Sequence, residues 1–347
     1  MTGALDLGSL ATRCTPIAPE LAADLARATH GIAGRLTRLA TEKDDTFHVL
    51  TETGAELIYK IANPGESMAS LDLQVQCLRH LERVAPDLPV PRVVPATSGA
   101  LLVPVPSADG PRQVRVMSYL SGDLLDGLPP DPAEQRLIGA MAARLRLALA
   151  GFSHPAADHV LAWDVRHLPA LAGLVDQVPD AGQRALLARA FAQITALAPR
   201  IDALPRQIVH NDFNRSNLLV TRAGPPQVTG IIDFGDVVHT AIAIDLATAM
   251  LNQLPRDAAE RGTGGMFDGP LRVLAGYLPL APLGPEERHL LPHLVFARVV
   301  TRALLSLWRA RQFPENQSYI LRHTAPCWDQ LDWYLSHSPA ALDALMP

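Results

Sequence analysis

Two textures of apolar spacing divide this 347-residue chain. Ahead of about Tyr119 the apolar positions come in short runs. Phe47 to Thr51 and Leu57 to Ile61 flank Thr53-Gly54-Ala55-Glu56, a hairpin signature, and Ala100 to Val103 and Val114 to Met117 flank a Pro/Asp/Gly turn. Between these pairs, Leu71, Val75, Leu78 and Leu81 fall at helical spacing in a segment from Ser70 to Val84 that ends before Pro86. After Ser121-Gly122-Asp123 the period lengthens. Pro132 to Ala150, Asp180 to Leu197, Asp245 to Leu251, Pro285 to Gln312 and Ala325 to Leu335 carry apolar residues at helical period, with Pro or Gly at their borders. The pattern predicts an α+β chain: a small β-sheet lobe over 1–119 and a larger, mainly helical lobe over 120–347, joined by a connector at Met117 to Leu120. A cleft between two such lobes is where a ligand is expected.

Embedded among the helices are three short apolar runs, Gln207 to Val209, Leu218 to Val220 and Val228 to Ile232, each reading as a buried strand. Thr221 to Pro226 is turn chemistry, so the last two predict a hairpin. Around them lie His210-Asn211-Asp212-Phe213-Asn214-Arg215-Ser216-Asn217 and Ile231-Ile232-Asp233-Phe234-Gly235-Asp236. The first has the H-x-D-x-x-x-x-N form in which the Asp accepts the proton of an attacking hydroxyl and the Asn holds a metal ion. The second sets its Asp on the metal that bridges nucleotide phosphates. Asp212 is therefore the expected catalytic base, and Asn217 and Asp233 the expected ligands of Mg²⁺, which favours hard oxygen donors. The hairpin would bring Asn217 and Asp233 together beside Asp212. An isolated Asp-Phe-Gly occurs by chance, and an Asp after a strand is often only a turn former. The two segments in this order and strand context are what imply phosphoryl transfer. His210 reads as a structural brace, and Asp245 as a helix N-cap or a brace of the same loop.

Composition narrows the partners. The formal net charge is -5, 48% of residues are hydrophobic and 19% charged, with no run of Lys or Arg; neither a nucleic-acid surface nor an anionic-membrane patch is expected. Cys14, Cys77 and Cys327 are odd in number and without C-x-x-C spacing, which argues against a disulfide framework or a structural zinc site. Met1 to Asp6 carries an acid where a signal peptide would be basic, and no segment reaches about 18 uninterrupted apolar residues. The expectation is a cytoplasmic protein, monomer or homodimer, acting on a small soluble partner.

The two motifs resemble those of the aminoglycoside phosphotransferase and choline kinase group, as does Asp245-Leu246-Ala247 after them. Asn211 in place of Arg, and the absence of Ala-Pro-Glu after Asp233, set the chain apart from protein kinases. Softer segments, Thr41-Glu42-Lys43-Asp44-Asp45-Thr46-Phe47, Gly235 to Thr240, and Pro314-Glu315-Asn316 with Tyr319, resemble hydroxylysine kinase and its bacterial relatives. The resemblance implies a protein-kinase-like two-lobe fold, ATP or GTP as co-substrate, and a hydroxylated amine or amino acid as acceptor.

It also makes Lys60 the lysine that pairs the α and β phosphates. The usual helical Glu partner is missing, since the helix after Lys60 has no Glu before Glu82; Asp72 or Gln74 orients Lys60, or something else does. No G-x-G-x-x-G precedes Lys60, so Thr41, Asp45 and Thr46 are the phosphate-loop candidates, each otherwise an ordinary polar turn residue. Met117 and Tyr119 would present backbone to the purine. Asp236 is a candidate for metal or substrate contact, or else a short-range turn acid, and His239 is a candidate substrate group. Arg298 and Arg302 lie one turn apart on one helix face, where one can clamp a substrate carboxylate or both form inter-helix ion pairs. The leading acceptor is hydroxylysine or a similar amino acid or amino alcohol. The alternatives are an antibiotic (aminoglycoside or macrolide) or homoserine- or choline-type kinase, and a nucleotide-binding pseudokinase.

Overall fold

The computed structural model describes residues 12–41, 43–262 and 264–346. Met1 to Asp6 and Glu42, which entered the sequence reading, lie outside the described residues. Two compact units emerge: residues 12–122 with Thr229–Gly235, and Asp123–Val228 with the chain from Asp236 onward.

The first unit is built on an antiparallel sheet of order β1-β2-β3-β6-β4, with β5 also paired to β6. Its strands are β1 (Gly34–Leu39), β2 (Asp45–Thr51), β3 (Glu56–Ile61), β4 (Val93–Val94), β5 (Val103–Val105) and β6 (Arg112–Ser118). Strand residues alternate between faces. Phe47, Val49, Tyr59, Ile61, Val114 and Val116 accordingly form one apolar layer, closed by Ala22 and Ala26 of helix α1 (Pro19–His30). Register settles the other face: Thr46 stands opposite Lys60, and Lys60 opposite Arg115, so these three side chains share the face that the core residues leave. Helix α2 (Met68–Val84) begins two residues before the expected Ser70, because the Ser67 hydroxyl accepts the N–H of Ser70 and caps it. The strand expected over Ala100 to Val103 lies instead at Val103–Val105.

The second unit holds β7 (Asp123–Leu124), α3 (Pro132–Leu149), α4 (Ala181–Thr195), β8 (Arg206–Val209), β9 (Leu218–Thr221), β11 (Val238–Ala241), α5 (Ile242–Leu251), α6 (Asp268–Tyr277), α7 (Pro285–Gln312) and α8 (Cys327–Leu335). The expected hairpin forms: β9 pairs with β10 (Gln227–Ile231) in a sheet of order β10-β9-β7. A two-stranded pairing of β8 with β11 sets Val209 opposite Val238. Helices α3 and α6 cross closely through glycine. A Cβ on Gly139 would come within 1.9 Å of the Val273 carbonyl oxygen, and one on Gly276 within 1.9 Å of that of Arg136. Helix α7 is long and apolar enough by length and composition to cross a membrane, yet 89% of that apolar window is buried in the protein, as in a central core helix. Cys14, Cys77 and Cys327 are free thiols.

Candidate active site

Strand β8 delivers the chain into the H-x-D-x-x-x-x-N segment. Asn211 there adopts φ 62°, and Asp233 of the second motif φ 61°; these are the two non-glycine residues with positive φ among the described residues. Left-handed backbone is strained for most L-residues, least so for Asn and Asp, and such strain concentrates at functional sites. At Asn211 the surroundings hold it: its N–H donates to Asp245 Oδ1 at 2.8 Å from a buried position in the first turn of α5. Asp245 is thus the loop brace, not an N-cap, since α5 starts at Ile242 with Ala241 in the cap position. Burial raises the Asp245 pKa, while His210 and the Asn211 N–H act in the opposite direction.

The bend turns Asp212 into a ring of donors. Asn214 Nδ2 donates to Asp212 Oδ1 at 2.7 Å, Asn217 Nδ2 to Oδ2 at 2.7 Å, and Arg298 Nη2 to Oδ1 at 3.1 Å. Asn217 Nδ2 also reaches the Asp212 carbonyl at 3.0 Å. With the amide nitrogen so engaged, Asn217 keeps Oδ1 as its side-chain acceptor, and a hard oxygen is the donor type that Mg²⁺ takes. The loop is pinned from below by buried Arg215, which donates to the carbonyls of Leu125 and Leu128.

The two arginines expected on one helix face prove unlike. Arg298 is buried on α7, bonds Asp212 and the Trp163 carbonyl, and stacks its guanidinium 5.3 Å from the Trp163 ring centroid. Its carboxylate is therefore that of Asp212. Arg302, half-buried one turn on, has its pKa lowered by burial and by Arg298, with Cys327, Asp212 and Asp126 acting in the opposite direction. His239 Nδ1 lies 2.7 Å from Asp158 Oδ1, so its polar edge already meets an acid, and Asp236 ends the short 3₁₀ turn Phe234–Asp236.

In the first unit a pocket is lined by Lys60, Gln74, Arg115, Met117, Asp233 and Phe234, among others. Lys60 Nζ stands 3.6 Å from Asp44 Oδ2 and 3.6 Å from Asp233 Oδ1. Lys60 thus meets an acid of the β1–β2 loop, Asp44, while on helix α2 Asp72 accepts from Gln76 and Gln74 Nε2 reaches Ser70. Among the phosphate-loop candidates, Asp45 is an anchor of the fold, paired with Arg38 and, at 2.8 Å, with Arg112. Thr41 Oγ1 donates to the Asp44 carbonyl. Thr46 is buried with its hydroxyl unpartnered, opposite Lys60. Met117 lines the pocket, whereas the Tyr119 ring packs on His48, with centroids 4.5 Å apart. Asp44, Arg115, Asn214 and Trp163 were not singled out individually in the sequence. The adjacent acids Asp44-Asp45 were visible there, but which of them faces Lys60 depends on strand register.

Known proteins are similar to this chain over most of its length. A hydroxylysine kinase of Danio rerio is 26% identical over 327 residues, covering 88% of this chain and 90% of its own. The structure of a microcompartment-associated aminopropanol kinase superposes with a TM-score of 0.70 at 22% identity, over 90% of this chain and 97% of that one. The amicoumacin kinase hAmiN, in complex with AMP-PNP, Ca²⁺ and Ami, does so with a TM-score of 0.66 at 14% identity, over 90% and 94%. The fold is thus the protein-kinase-like fold of these enzymes. The model of the phosphotransferase enzyme family matches residues 35–283, a span that contains Lys60, both motifs and the Asp245 brace. The chain belongs to the phosphotransferase enzyme family and is a small-molecule kinase of that family.

Proposed function

We propose that this kinase moves the γ-phosphoryl group of ATP or GTP to the hydroxyl of hydroxylysine or a similar amino acid or amino alcohol. Nucleotide binding falls to the sheet lobe, residues 1–119, joined by Asp233; catalysis and acceptor binding fall to the lobe from 120 onward. Lys60 takes the α and β phosphates, with the backbone of Met117 and Tyr119 against the purine. Asp212 orients the acceptor hydroxyl and receives its proton as the transfer proceeds. In a loose transition state orientation is the larger part of that work. Asn217 and Asp233 would hold Mg²⁺, which when bound offsets phosphate charge. Since Arg298 is engaged with Asp212, the carboxylate of an amino acid acceptor is assigned to Arg302.

The observation that carries this reading is the Asp212 carboxylate, held from three directions by Asn214, Asn217 and Arg298. A group needed only for nucleotide binding would not require such orientation. The hydroxylysine kinase relative supports the acceptor class.

Nucleotide turnover over a panel of hydroxylated amines and amino acids tests the proposal. Hydroxylysine, 1-amino-2-propanol, homoserine, choline and an aminoglycoside span the acceptor types. Turnover should be found with an amino acid or amino alcohol and fall about 10²- to 10⁴-fold in Asp212→Asn, while Mg-nucleotide still raises its melting temperature. Turnover confined to the aminoglycoside would replace the acceptor assignment. Unchanged turnover in Asp212→Asn would remove Asp212 from the chemistry.

A further inference from the structure

A lysine that pairs phosphates has to be aimed, and in the kinase pattern a helical Glu does so. Helix α2 has no Glu at such a position, and its Asp72 accepts from Gln76. The β1–β2 loop supplies a different acid. Asp44 Oδ2 lies 3.6 Å from Lys60 Nζ and 2.8 Å from Arg115 Nη2, and Asp44 Oδ1 accepts the Asn63 N–H at 3.0 Å. The backbone of Asp44 is held as well, through Thr41 Oγ1 on its carbonyl. The side chains of Lys60, Asp44 and Arg115 are 15%, 10% and 5% exposed. The other acid on Lys60, Asp233, is 51% exposed and is the group assigned above to the metal.

Register explains why an anion is needed here. Lys60 and Arg115 are direct cross-strand partners, and like charges so placed repel. A single carboxylate between them turns that repulsion into two attractions and limits the positions open to the ammonium.

We propose that Asp44 is the positioning residue for Lys60, standing in for the absent helical Glu, with Arg115 and Asn63 fixing the Asp44 carboxylate. The inference rests on the reading of Lys60 as the phosphate lysine. It assigns a structural reason to the acidic loop: Asp45 anchors the fold through Arg38 and Arg112, and Asp44 meets Lys60 and Arg115, two residues that line the pocket.

The test is the affinity of the full-length protein for Mg-ADP and Mg-GDP, against adenosine and guanosine, by calorimetry. Asp44→Asn and Lys60→Met should each weaken diphosphate binding about tenfold to a hundredfold and leave nucleoside binding unchanged. The double variant should be no weaker than Lys60→Met alone. A purely structural role would weaken nucleoside and diphosphate alike and would add to the loss from Lys60→Met. Should Asp44→Asn fail to fold because Arg115 is stranded, Asp44→Asn with Arg115→Met removes the stranded charge and is read the same way. Lys60→Met weakening diphosphate binding while the Asp44 variants do not would overturn the role of Asp44 and leave Lys60 standing. No loss in Lys60→Met would remove the phosphate reading of Lys60, and the inference with it.

Discussion

The ion cluster around Asp44 makes a stability prediction that is independent of any ligand. Burial by itself would raise the Asp44 pKa; Arg115, Lys60 and the Asn63 N–H more than offset this and bring it from 3.8 to about 2. A carboxylate depressed in the folded state contributes stability that is complete above its unfolded pKa and is lost as pH falls through the folded one. The window therefore runs from about pH 4 down to about pH 2. That depression makes the pH-linked part about 2–3 kcal/mol at pH 7, with about half of it gone at pH 3. The assay is urea unfolding of wild type and Asp44→Asn at steps from pH 7 to pH 3, followed with a probe in the sheet unit. Other carboxylates titrate in both proteins, so the difference between them isolates Asp44. The variant should be less stable by about 3–5 kcal/mol at pH 7, because Arg115 is left buried without its partner. That deficit should shrink by about 1 kcal/mol on reaching pH 3. A deficit that stays constant or grows toward low pH would refute the ionised cluster.

Two further outcomes concern the catalytic loop. Arg298→Met should lower turnover about tenfold to a hundredfold through loss of a charge-assisted bond to Asp212, with nucleotide affinity retained; unchanged turnover would show that Asn214 and Asn217 suffice to hold the carboxylate. At Asn211, where φ is 62°, Asn211→Gly should preserve thermal stability, whereas Asn211→Val should lose roughly 1–2 kcal/mol or more in denaturant unfolding; equal behaviour of the two would mean that the left-handed backbone is not under constraint.

Legibility in the sequence followed how local each feature is. Helix α7 matches the expected Pro285 to Gln312 at both ends, because a long apolar period with Pro at its first position is strong local information. Strand β1 was missed because it is largely exposed and carries Arg35 and Arg38, so it shows no apolar alternation. Helix α6 was missed for another reason: Gly269, Pro270 and Gly276 resemble breakers in the sequence, although Gly276 serves the close approach to α3. The start of helix α5 at Ile242, ahead of Asp245, is hidden in the sequence because the apolar Ile242 and Ala243 merge with the strand before them.

The site divides along the same line. Asp212, Asn214 and Asn217 lie within one turn, so a contiguous motif was enough to bring them together, and a hairpin of short connection was enough to set Asn217 beside the start of one strand and Asp233 just past the end of the other. The partners that constrain them are distant: Arg298 reaches Asp212 across 86 positions, and Arg115 reaches Asp44 across 71. No local periodicity encodes such pairs. The sequence by itself determined the phosphotransfer chemistry, because turn residues and reactive groups there share one short segment. Only the tertiary structure decided that Asp44 faces Lys60 and that Arg298 serves Asp212, because strand register and helix packing bring together charges that nothing along the chain connects.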